Sequence, residues 1–412
     1  MLLSEELVRR GFIKQHTADL GLIFDQEKRV VYHGIDPTAD SAHAGNFVVW
    51  MLLYHLVRSG HKVVFLVGGG TGLIGDPKPD VERTLIEPDE AKKRVVKIEA
   101  QAKRLLCESV VFVNNYDWLV GIKLIDFLRD IGKHFTVNEL IKKDAIAKRL
   151  KDEAGISYTE FAYPLLQAYD FLNLYRTHGC TLQVGGSDQW GNIVSGVDLI
   201  RRLEKTEVQA VTVPLIIDKT TGKKFGKSEG NAVWLDPEKT SPYAFYQFWL
   251  NTADENVIDY LKLFTTLPLE QIAELEKNIE VSPEKRQAQR VLAEAVTEFV
   301  HGQEARKAVE QVSELVFETA LTRPLSVAEL DLVRSHLNHE RVLDGANLVE
   351  VLVLVGLAES KRQAREFIMA GAVTVAGQKV VAADYCLESA ALGDFVLLRR
   401  GKRQVAAVEL SQ

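Results

Sequence analysis

The fold is decided by residues 30–46, which read Val30-Val31-Tyr32-His33-Gly34-Ile35-Asp36-Pro37-Thr38-Ala39-Asp40-Ser41-Ala42-His43-Ala44-Gly45-Asn46. The apolar run before Asp36 predicts a buried strand, and the Asp-Pro pair ends it. A helix is predicted from Gly45 to Arg58, and a second buried strand from Lys62 to Val67. Parallel strands joined through a helix require a right-handed crossover. The sequence therefore predicts an α/β fold with a doubly wound, Rossmann-like parallel sheet.

The composition is that of an ordinary globular protein and limits the functional classes. Of 412 residues, 46% are hydrophobic and 26% are charged, and the net charge is −7. This acidic balance argues against a surface that grips nucleic acid over its whole extent, but it leaves room for a local basic patch. The cysteines, Cys107, Cys180 and Cys386, form no CxxC pair, so neither protein-bound zinc nor a disulfide framework is expected.

The N-terminal residues and the apolar runs indicate the compartment. The N-terminus carries early acids and no long apolar core, unlike a signal peptide or a typical transit peptide. The apolar run Val63–Val67 is far too short to cross a bilayer. With reduced thiols, these features predict a cytoplasmic protein that has no membrane contact.

Two segments carry groups that can bind phosphate. His43 lies two residues before Gly45 at the predicted start of a helix, where imidazole can donate to phosphate and glycine allows close approach. Farther along, Lys223-Lys224-Phe225-Gly226-Lys227-Ser228 forms a loop whose cations can follow the charge of departing pyrophosphate. Taken alone, the first segment also fits a helix-capping turn and the second a polar hairpin turn. Together they predict a site that binds ATP from two sides.

Two polar patterns predict the rest of a ligand site. Tyr163, Gln167 and Asp170 are spaced i, i+4 and i+7 and share one helix face. That face is either solvated or lines a pocket for a small ligand with an ammonium and a hydroxyl group. The run Gly185-Gly186-Ser187-Asp188-Gln189-Trp190-Gly191-Asn192 suits a ribose held close to the backbone, and it also fits a turn with an Asp N-cap.

In their order along the chain, these segments resemble tyrosyl-tRNA synthetases of the bacterial type, which are class I aminoacyl-tRNA synthetases. The resemblance is collinear over most of residues 1–235. It rests on motifs that are far more specific together than singly: Tyr32 with 36–46, Gly75-Asp76-Pro77, Tyr163 to Phe171, 185–192 and 224–228.

The resemblance implies a role for each of these residues. The substrate phenol would be bound by Tyr32 and Asp170. The amino group of tyrosine would be bound by Asp76, Tyr163 and Gln167. Its carboxylate would be bound by Gln189. ATP would be bound by Asp36, Thr38, His43, Gly45, Asn46, Gly186, Asp188, Lys224, Lys227 and Ser228. Of these, the catalytic residues would be Thr38, His43, Asn46, Lys224 and Lys227. ATP would enter with Mg²⁺, and no metal site built from protein side chains is implied.

Two positions depart from the commonest signatures of the family. Asn46 stands where many relatives have a second histidine, and an amide can donate to a phosphate or ribose oxygen without titrating. Phe225 stands where methionine is usual, at a position that normally provides apolar packing. Neither change is expected to abolish activity.

The C-terminal residues have a different character. From Ser360 to Val380 they resemble a small RNA-binding module shared by a ribosomal small-subunit protein and several RNA-modifying enzymes. Residues 361–403 hold eight Lys and Arg against four Asp and Glu, which fits a phosphate-binding face. The candidate RNA contacts are Lys361, Arg362, Arg365 and Lys379, and the alternative is a merely solvated face. The resemblance implies contact with the variable arm of a tRNA.

The pattern predicts five segments. These are a Rossmann-like catalytic domain at 1–222, a lysine/glycine/serine loop at 223–235, a helical anticodon-side domain at 236–325, a linker at 326–345 and a small RNA-binding domain at 346–412. The resemblance implies a tyrosine–tRNA ligase that acts as a homodimer on tyrosine, ATP and tRNA(Tyr). The alternatives are a tryptophan-specific relative, a non-catalytic RNA-binding protein on the same scaffold and a small nucleotidylyltransferase.

Overall fold

The computed structural model describes residues 1–78, 84–106, 109–151, 155–222, 225–228, 231–317, 326–389, 394–401 and 404–411. The chain forms two compact units. The first comprises residues 1–236 and 254–283, and the second comprises residues 237–253 and 284–412. None of the described helices is long and apolar enough to cross a membrane.

The strands and helices alternate along the first unit, and helices precede the strands of the second. The strands are β1 Gln15–His16, β2 Val30–Ile35, β3 Lys62–Val67, β4 Val111–Asn114, β5 Cys180–Gly186, β6 Gln209–Val213, β7 Lys227–Ser228, β8 Asn231–Ala232, β9 His339–Leu343, β10 Ala346–Asn347, β11 Val373–Val375, β12 Gln378–Val380, β13 Cys386–Leu387, β14 Phe395–Arg400 and β15 Gln404–Ser411. The helices are α1 Leu3–Arg10, α2 Leu20–Phe24, α3 Ala44–Arg58, α4 Thr71–Ile74, α5 Pro88–Leu106, α6 Tyr116–Leu119, α7 Leu124–Asp130, α8 Val137–Leu140, α9 Asp144–Lys151, α10 Tyr158–His178, α11 Trp190–Glu204, α12 Pro242–Leu250, α13 Asp254–Phe264, α14 Leu269–Val281, α15 Gln287–His301, α16 Gln303–Phe317, α17 Val327–His336, α18 Leu348–Leu354 and α19 Lys361–Met369.

The first unit contains a six-stranded sheet in the order β1-β6-β5-β2-β3-β4. The five strands β2 to β6 are parallel, and β1 pairs antiparallel with β6 at the edge. The chain runs outward from β2 through β3 to β4, and in the other direction from β5 to β6. This confirms the predicted doubly wound sheet. Its topological switch point lies between β2 and β5, where ligands of such folds bind at the carboxyl ends of the strands.

Burial explains why β2, β3 and α3 form the centre of the first unit. The apolar run of β3 is buried from Val63 to Val67, as expected for a strand that is covered on both faces. Helix α3 is apolar almost all round, and Phe47, Trp50 and Met51 are at most 1% exposed. A helix with this pattern is stable only inside a core. Its N-terminus is thereby fixed beside the end of β2.

The second unit is helical and then mixed α/β. A five-stranded sheet in the order β12-β11-β14-β15-β9 packs with α18 and α19 around one apolar core, which includes Leu348, Ile368 and Val396. The stretch 326–345, expected to be a linker, forms α17 and the edge strand β9. A capping box starts α17, since Ser326 Oγ accepts from Glu329 N and Glu329 Oε2 accepts from Ser326 N. Strand β9 is fixed by parallel pairing with β15, which is distant in sequence and leaves no local signal.

Candidate active site

A cavity of about 420 Å³ opens at the switch point between β2 and β5. It is lined by the sequence-predicted residues whose side chains the structure describes, namely Tyr32, Asp36, Thr38, His43, Gly45, Asn46, Asp76, Tyr163, Gln167, Asp170, Gly186, Asp188 and Gln189. Lys224 lies outside the described residues, and Lys227 and Ser228 are described only as the backbone of β7. The scattered motifs of the first unit therefore meet in one place.

Asp170 closes one end of the cavity and is 1% exposed. Its Oδ1 accepts from Trp118 Nε1 at 2.8 Å, and its Oδ2 accepts from Asn115 Nδ2 at 2.9 Å. Burial raises the pKa of Asp170 to about 7, while the two hydrogen bonds lower it and the nearby Asp36 raises it further. Near pH 7 part of the Asp170 population is therefore ionised, and the remaining lone pairs of this carboxylate can accept from a ligand hydroxyl.

Tyr32 shares this end of the cavity with Asp170. Its ring is 1% exposed and contacts Phe171 at a centroid distance of 5.7 Å. Burial raises the pKa of Tyr32 well above its ordinary value, and the charges of Asp170 and Asp36 act in the same direction. The hydroxyl therefore stays protonated and is available for a hydrogen bond to a phenol.

Asp76 and Gln189 also line the cavity and contact each other. Asp76 Oδ2 accepts from Gln189 Nε2 at 2.9 Å, and Asp76 Oδ1 accepts from Asn192 Nδ2 at 3.0 Å. Gln167 Oε1 faces the same cavity, buried and without a hydrogen-bond partner in the described part of the chain. A buried acceptor of this kind is costly unless a ligand supplies a donor. An ammonium group is a suitable donor for both Gln167 and Asp76.

Asp36 stands at the end of β2 and has a partner on each oxygen. Thr71 Oγ1 donates to Oδ1 at 2.7 Å, and the Tyr163 hydroxyl donates to Oδ2 at 2.8 Å. Burial, followed by the charges of Asp36 and Asp76, raises the pKa of Tyr163 well above its ordinary value. The oxygen of Tyr163 keeps lone pairs that can accept from a ligand ammonium.

The first phosphate-binding candidate is the N-terminus of α3. His43 is its N-cap, and Nδ1 accepts from Gly45 N at 3.0 Å, while Asn46 Oδ1 accepts from His43 N at 3.1 Å. Because the backbone N–H of Gly45 can only donate, the neutral ring of His43 carries its proton on Nε2. The capping geometry and the phosphate-binding role are thus compatible: one ring nitrogen caps the helix and the other is a donor at its positive end.

Backbone contacts bring the second signature segment to the same helix end. Val233 N donates to Gly226 O at 2.8 Å, and Ala44 N donates to Val233 O at 2.8 Å. Gly226 has φ +89°, and a Cβ there would lie 2.8 Å from Gly45 N. Phe225, in the position where methionine is usual, is stacked on Phe264 at 5.1 Å. The two candidate phosphate-binding segments are therefore in direct contact although they are far apart in sequence.

Four residues that complete the site were not among the sequence-predicted site residues. Asn115 and Trp118 donate to Asp170, Thr71 donates to Asp36, and Asn192 donates to Asp76. Asn115 directly follows β4, and the carboxyl end of a parallel strand is a signal that could have found it. Among the described residues, no group of three His, Cys, Asp or Glu side chains could hold a metal ion.

The candidate RNA contacts of the second unit are all exposed. Lys361 pairs with Glu350 at 2.6 Å, and Arg362 pairs with Glu366 at 3.0 Å. Arg365 is on the same helix α19, while Lys379 lies on β12 with its stem against Gly371. These cations are exposed, as phosphate binding requires.

A doubly wound sheet that carries these segments at its switch point defines a class I aminoacyl-tRNA synthetase. Residues 25–318 match the family described as tRNA synthetases class I (W and Y), and residues 334–408 match the tyrosine–tRNA ligase SYY-like C-terminal domain. A tyrosine–tRNA ligase of Dechloromonas aromatica is 45% identical over 418 residues, 98% of each chain. The chain belongs to the tyrosine–tRNA ligase family, which confirms the resemblance.

Solved structures agree with the fold. A C-terminally truncated mitochondrial tyrosyl-tRNA synthetase of Aspergillus nidulans has a TM-score of 0.70 and 30% identity, covering 77% of this chain and 94% of that one. A tryptophanyl-tRNA synthetase of Encephalitozoon cuniculi, at 16% identity, has a TM-score of 0.56 over 80% of this chain and 91% of that one. The second similarity shows the fold alone, so amino-acid specificity has to be argued from the cavity.

Proposed function

We propose that this protein activates L-tyrosine with ATP and transfers it to tRNA(Tyr). The observation that carries the proposal is the buried carboxylate of Asp170, held by two donors beside the Tyr32 hydroxyl. A phenol can pair with both groups, whereas phenylalanine would leave them unpaired and an indole offers no hydroxyl. Tyrosine-specific enzymes of this family are themselves the reference case for this effect, with a discrimination of about 10⁵ and no editing.

The first step is an in-line displacement at phosphorus. A carboxylate oxygen of tyrosine attacks the α-phosphorus of ATP, and the bond from that phosphorus to the bridging oxygen of the β-phosphate breaks. Tyrosyl-adenylate forms and pyrophosphate leaves. The protein supplies positioning and charge stabilisation and needs no covalent nucleophile. We assign Asp76, Tyr163 and Gln167 to the ammonium group and Gln189 to the carboxylate.

The nucleotide half of the site stabilises the charge that develops in this step. Thr38 and the Nε2–H of His43 would bind phosphate oxygens as phosphorus becomes five-coordinate, and Asn46 would add an amide donor. Lys224 and Lys227 would neutralise the departing pyrophosphate, and Gly186 with Asp188 would hold the ribose. Interactions that strengthen only in the transition state raise the rate of the chemical step. ATP would carry Mg²⁺ on its phosphates as part of the substrate.

The second step transfers tyrosine to tRNA. A ribose hydroxyl of the 3′-terminal adenosine attacks the carbonyl carbon of tyrosyl-adenylate, and AMP leaves with the electrons of the broken C–O bond. The exposed cations of α19 and β12 are our candidates for binding tRNA phosphates. We propose a cytoplasmic setting, in which the buried thiol of Cys180 stays reduced.

A homodimer is part of the proposal. Large apolar side chains are exposed in close succession along α7 and its flanks: Val120 is 63% exposed, Leu124 69%, Ile125 70% and Val137 63%. Exposed apolar side chains that are concentrated in this way mark interaction surfaces. A second copy of the chain is the occupant that we assign to this apolar surface.

The test is amino-acid-dependent exchange of labelled pyrophosphate into ATP, run with each of the twenty amino acids and without tRNA. We expect exchange with tyrosine alone. Exchange with tryptophan instead would identify the tryptophan-specific relative. No exchange with any amino acid, from a folded sample, would leave the non-catalytic RNA-binding alternative.

A further inference from the structure

Asn115 is a buried polar residue to which the mechanism above gives no task. Its side chain is 0% exposed, directly after β4. Oδ1 accepts from Gly70 N at 2.7 Å and from Thr71 N at 3.4 Å, and Nδ2 donates to Thr71 Oγ1 at 2.8 Å and to Asp170 Oδ2 at 2.9 Å. The amide therefore uses its full hydrogen-bonding capacity, and all of it is directed at the site.

The direction of each bond in this network is fixed by chemistry. Backbone N–H groups can only donate, so the atom of Asn115 that faces Gly70 and Thr71 is the oxygen. The NH₂ group can only donate, so it donates one hydrogen bond to Asp170 and another to the hydroxyl oxygen of Thr71. The hydroxyl group of Thr71 in turn donates a hydrogen bond to Asp36. A chain of hydrogen bonds with fixed directions thus joins Asp170 to Asp36 through Asn115 and Thr71.

We propose that Asn115 is a positioning and specificity residue, which keeps Asp170 an acceptor aimed at the phenol of the substrate. The inference rests on the proposed function, since it concerns how that site selects tyrosine. An acceptor-only carboxylate pairs with a phenol O–H, whereas a protonated carboxyl offers a competing proton. Without the amide donor, Asp170 would be less ionised and would be held by Trp118 alone.

The surroundings of Asp170 make this dependence strong. Burial is the largest influence and raises its pKa to about 7, and the negative charge of Asp36 raises it further. The hydrogen bonds from Asn115 and Trp118 are the effects that lower it. Tyr32 and Tyr163 are neutral because their own pKa values are raised. The cavity is also lined by the titratable side chains His33, His43, Asp76 and Asp188, and burial lowers the pKa of His33 to about 4. Removing the Asn115 donor therefore raises the pKa of Asp170. Near pH 7, where both forms of Asp170 are populated, this lowers the ionised fraction.

The decisive variant is Asn115→Asp, which keeps the shape of the side chain and the oxygen that accepts from Gly70 and Thr71. It replaces the donor to Asp170 by a second carboxyl group. In the wild type, kcat/KM for tyrosine in pyrophosphate exchange should rise with pH through about 7, as Asp170 ionises. In the variant, kcat/KM for tyrosine should fall over the same pH range. The carboxyl groups of residues 115 and 170 share a proton only at lower pH, and that shared proton replaces the lost donor.

A second variant, Asn115→Ala, removes the donor without adding charge and covers the case in which Asn115→Asp does not fold. We expect kcat/KM for tyrosine to fall by about 10- to 100-fold, as for a lost hydrogen bond to a charged group. The value for phenylalanine should change much less, and the pH midpoint for tyrosine should move upward. Asn114→Asp is the matched control, since its Oδ1 bonds to Gly69 N and Tyr116 N survive the change. Its pH profile should match that of the wild type.

The results separate the two hypotheses. A uniform loss on both amino acids with an unchanged pH midpoint would reduce Asn115 to a structural residue and overturn the inference alone. A wild type that does not exchange with tyrosine would overturn the proposed function and the inference with it. An inverted profile for Asn115→Asp together with a lowered tyrosine/phenylalanine ratio for Asn115→Ala would support both.

Discussion

At the scale of single residues, we propose that selectivity for tyrosine depends on the buried carboxyl group of Asp170. Asp170 is 1% exposed and has a pKa near 7, so its ionisation is held against the cost of burial by Asn115 and Trp118. We expect Asp170→Asn to lower the ratio of kcat/KM for tyrosine over phenylalanine by about 10- to 100-fold, since a charge-assisted hydrogen bond is lost. Pyrophosphate exchange with both amino acids measures this ratio. An unchanged ratio would remove the role assigned to Asp170.

The same residue makes stability depend on pH. The pKa of Asp170 is raised in the folded protein from 3.8 to about 7. The folded state therefore holds the proton more tightly than the unfolded state, and stability is lost as pH rises from about 4 to about 7. Asn at this position has no charge to bury, so raising the pH from 5 to 8 should lower the Tm of the wild type relative to that of Asp170→Asn. Thermal unfolding at the two pH values checks the sign, and a constant difference would contradict it.

At the scale of elements, we propose that the contact between the start of α3 and the segment at Gly226 positions the groups that bind ATP. Gly226 has φ +89° and no room for a Cβ beside Gly45 N. We expect Gly226→Ala to push the segment at Gly226 away from α3 and to lower kcat of pyrophosphate exchange by at least about 10-fold. The displaced groups of this segment would no longer stabilise the charge that develops in the transition state.

Gly222 provides the matched control for this prediction. It has φ +68°, the same left-handed region, but no atom lies within 4 Å of a Cβ built there. Gly222→Ala therefore carries the backbone strain without the collision. Equal loss of kcat in both variants would attribute the effect to strain and not to the contact.

The apolar surface on α7 gives a second prediction at this scale. Leu124→Asp should convert a dimer to a monomer, since a charge would be buried in the interface at high cost. Size-exclusion chromatography with light scattering measures the mass directly. Val96 on α5 is 66% exposed and serves as the control, because Val96→Asp changes an isolated apolar side chain. A wild-type monomer, or a dimer that survives Leu124→Asp, would contradict the assigned surface.

The elements also show how far the sequence alone could be read. The β2–α3–β3 core and the polar face of α10 could be predicted, since each pattern is local and periodic. The partners of Asp170 could not, because Asn115 and Trp118 are 55 and 52 residues away and meet it only through the strand order. Strand β9 was missed for a similar reason, as its hydrogen bonds come from β15 at the far end of the chain.

At the scale of the whole molecule, we propose that adenylate formation and tRNA binding belong to different units. The amino-acid and ATP groups lie in the first unit, and the exposed cations Arg365 and Lys379 lie in the second. The double variant Arg365→Ala with Lys379→Ala should leave pyrophosphate exchange within about 2-fold and reduce tRNA charging. It should also flatten the dependence of charging on salt, because fewer phosphate contacts release fewer counterions.

Lys62, at the amino end of β3 and away from the cavity, is the control for this experiment. Lys62→Ala removes one exposed positive charge without touching the candidate RNA surface. Equal loss of exchange and charging in the double variant would argue against the division of labour.

The double support of Asp170 has a consequence for redesign toward unnatural substrates. A library could vary Asp170 alone, for example to accept a bulky ether or halide in place of the phenol. The donors of Asn115 and Trp118 would then be left without an acceptor. Each donor without an acceptor costs free energy, and binding of the new substrate has to offset this cost before its affinity improves. Altered specificity in this scaffold should therefore evolve through coupled changes at Asp170, Asn115 and Trp118, and single-site searches should stall early.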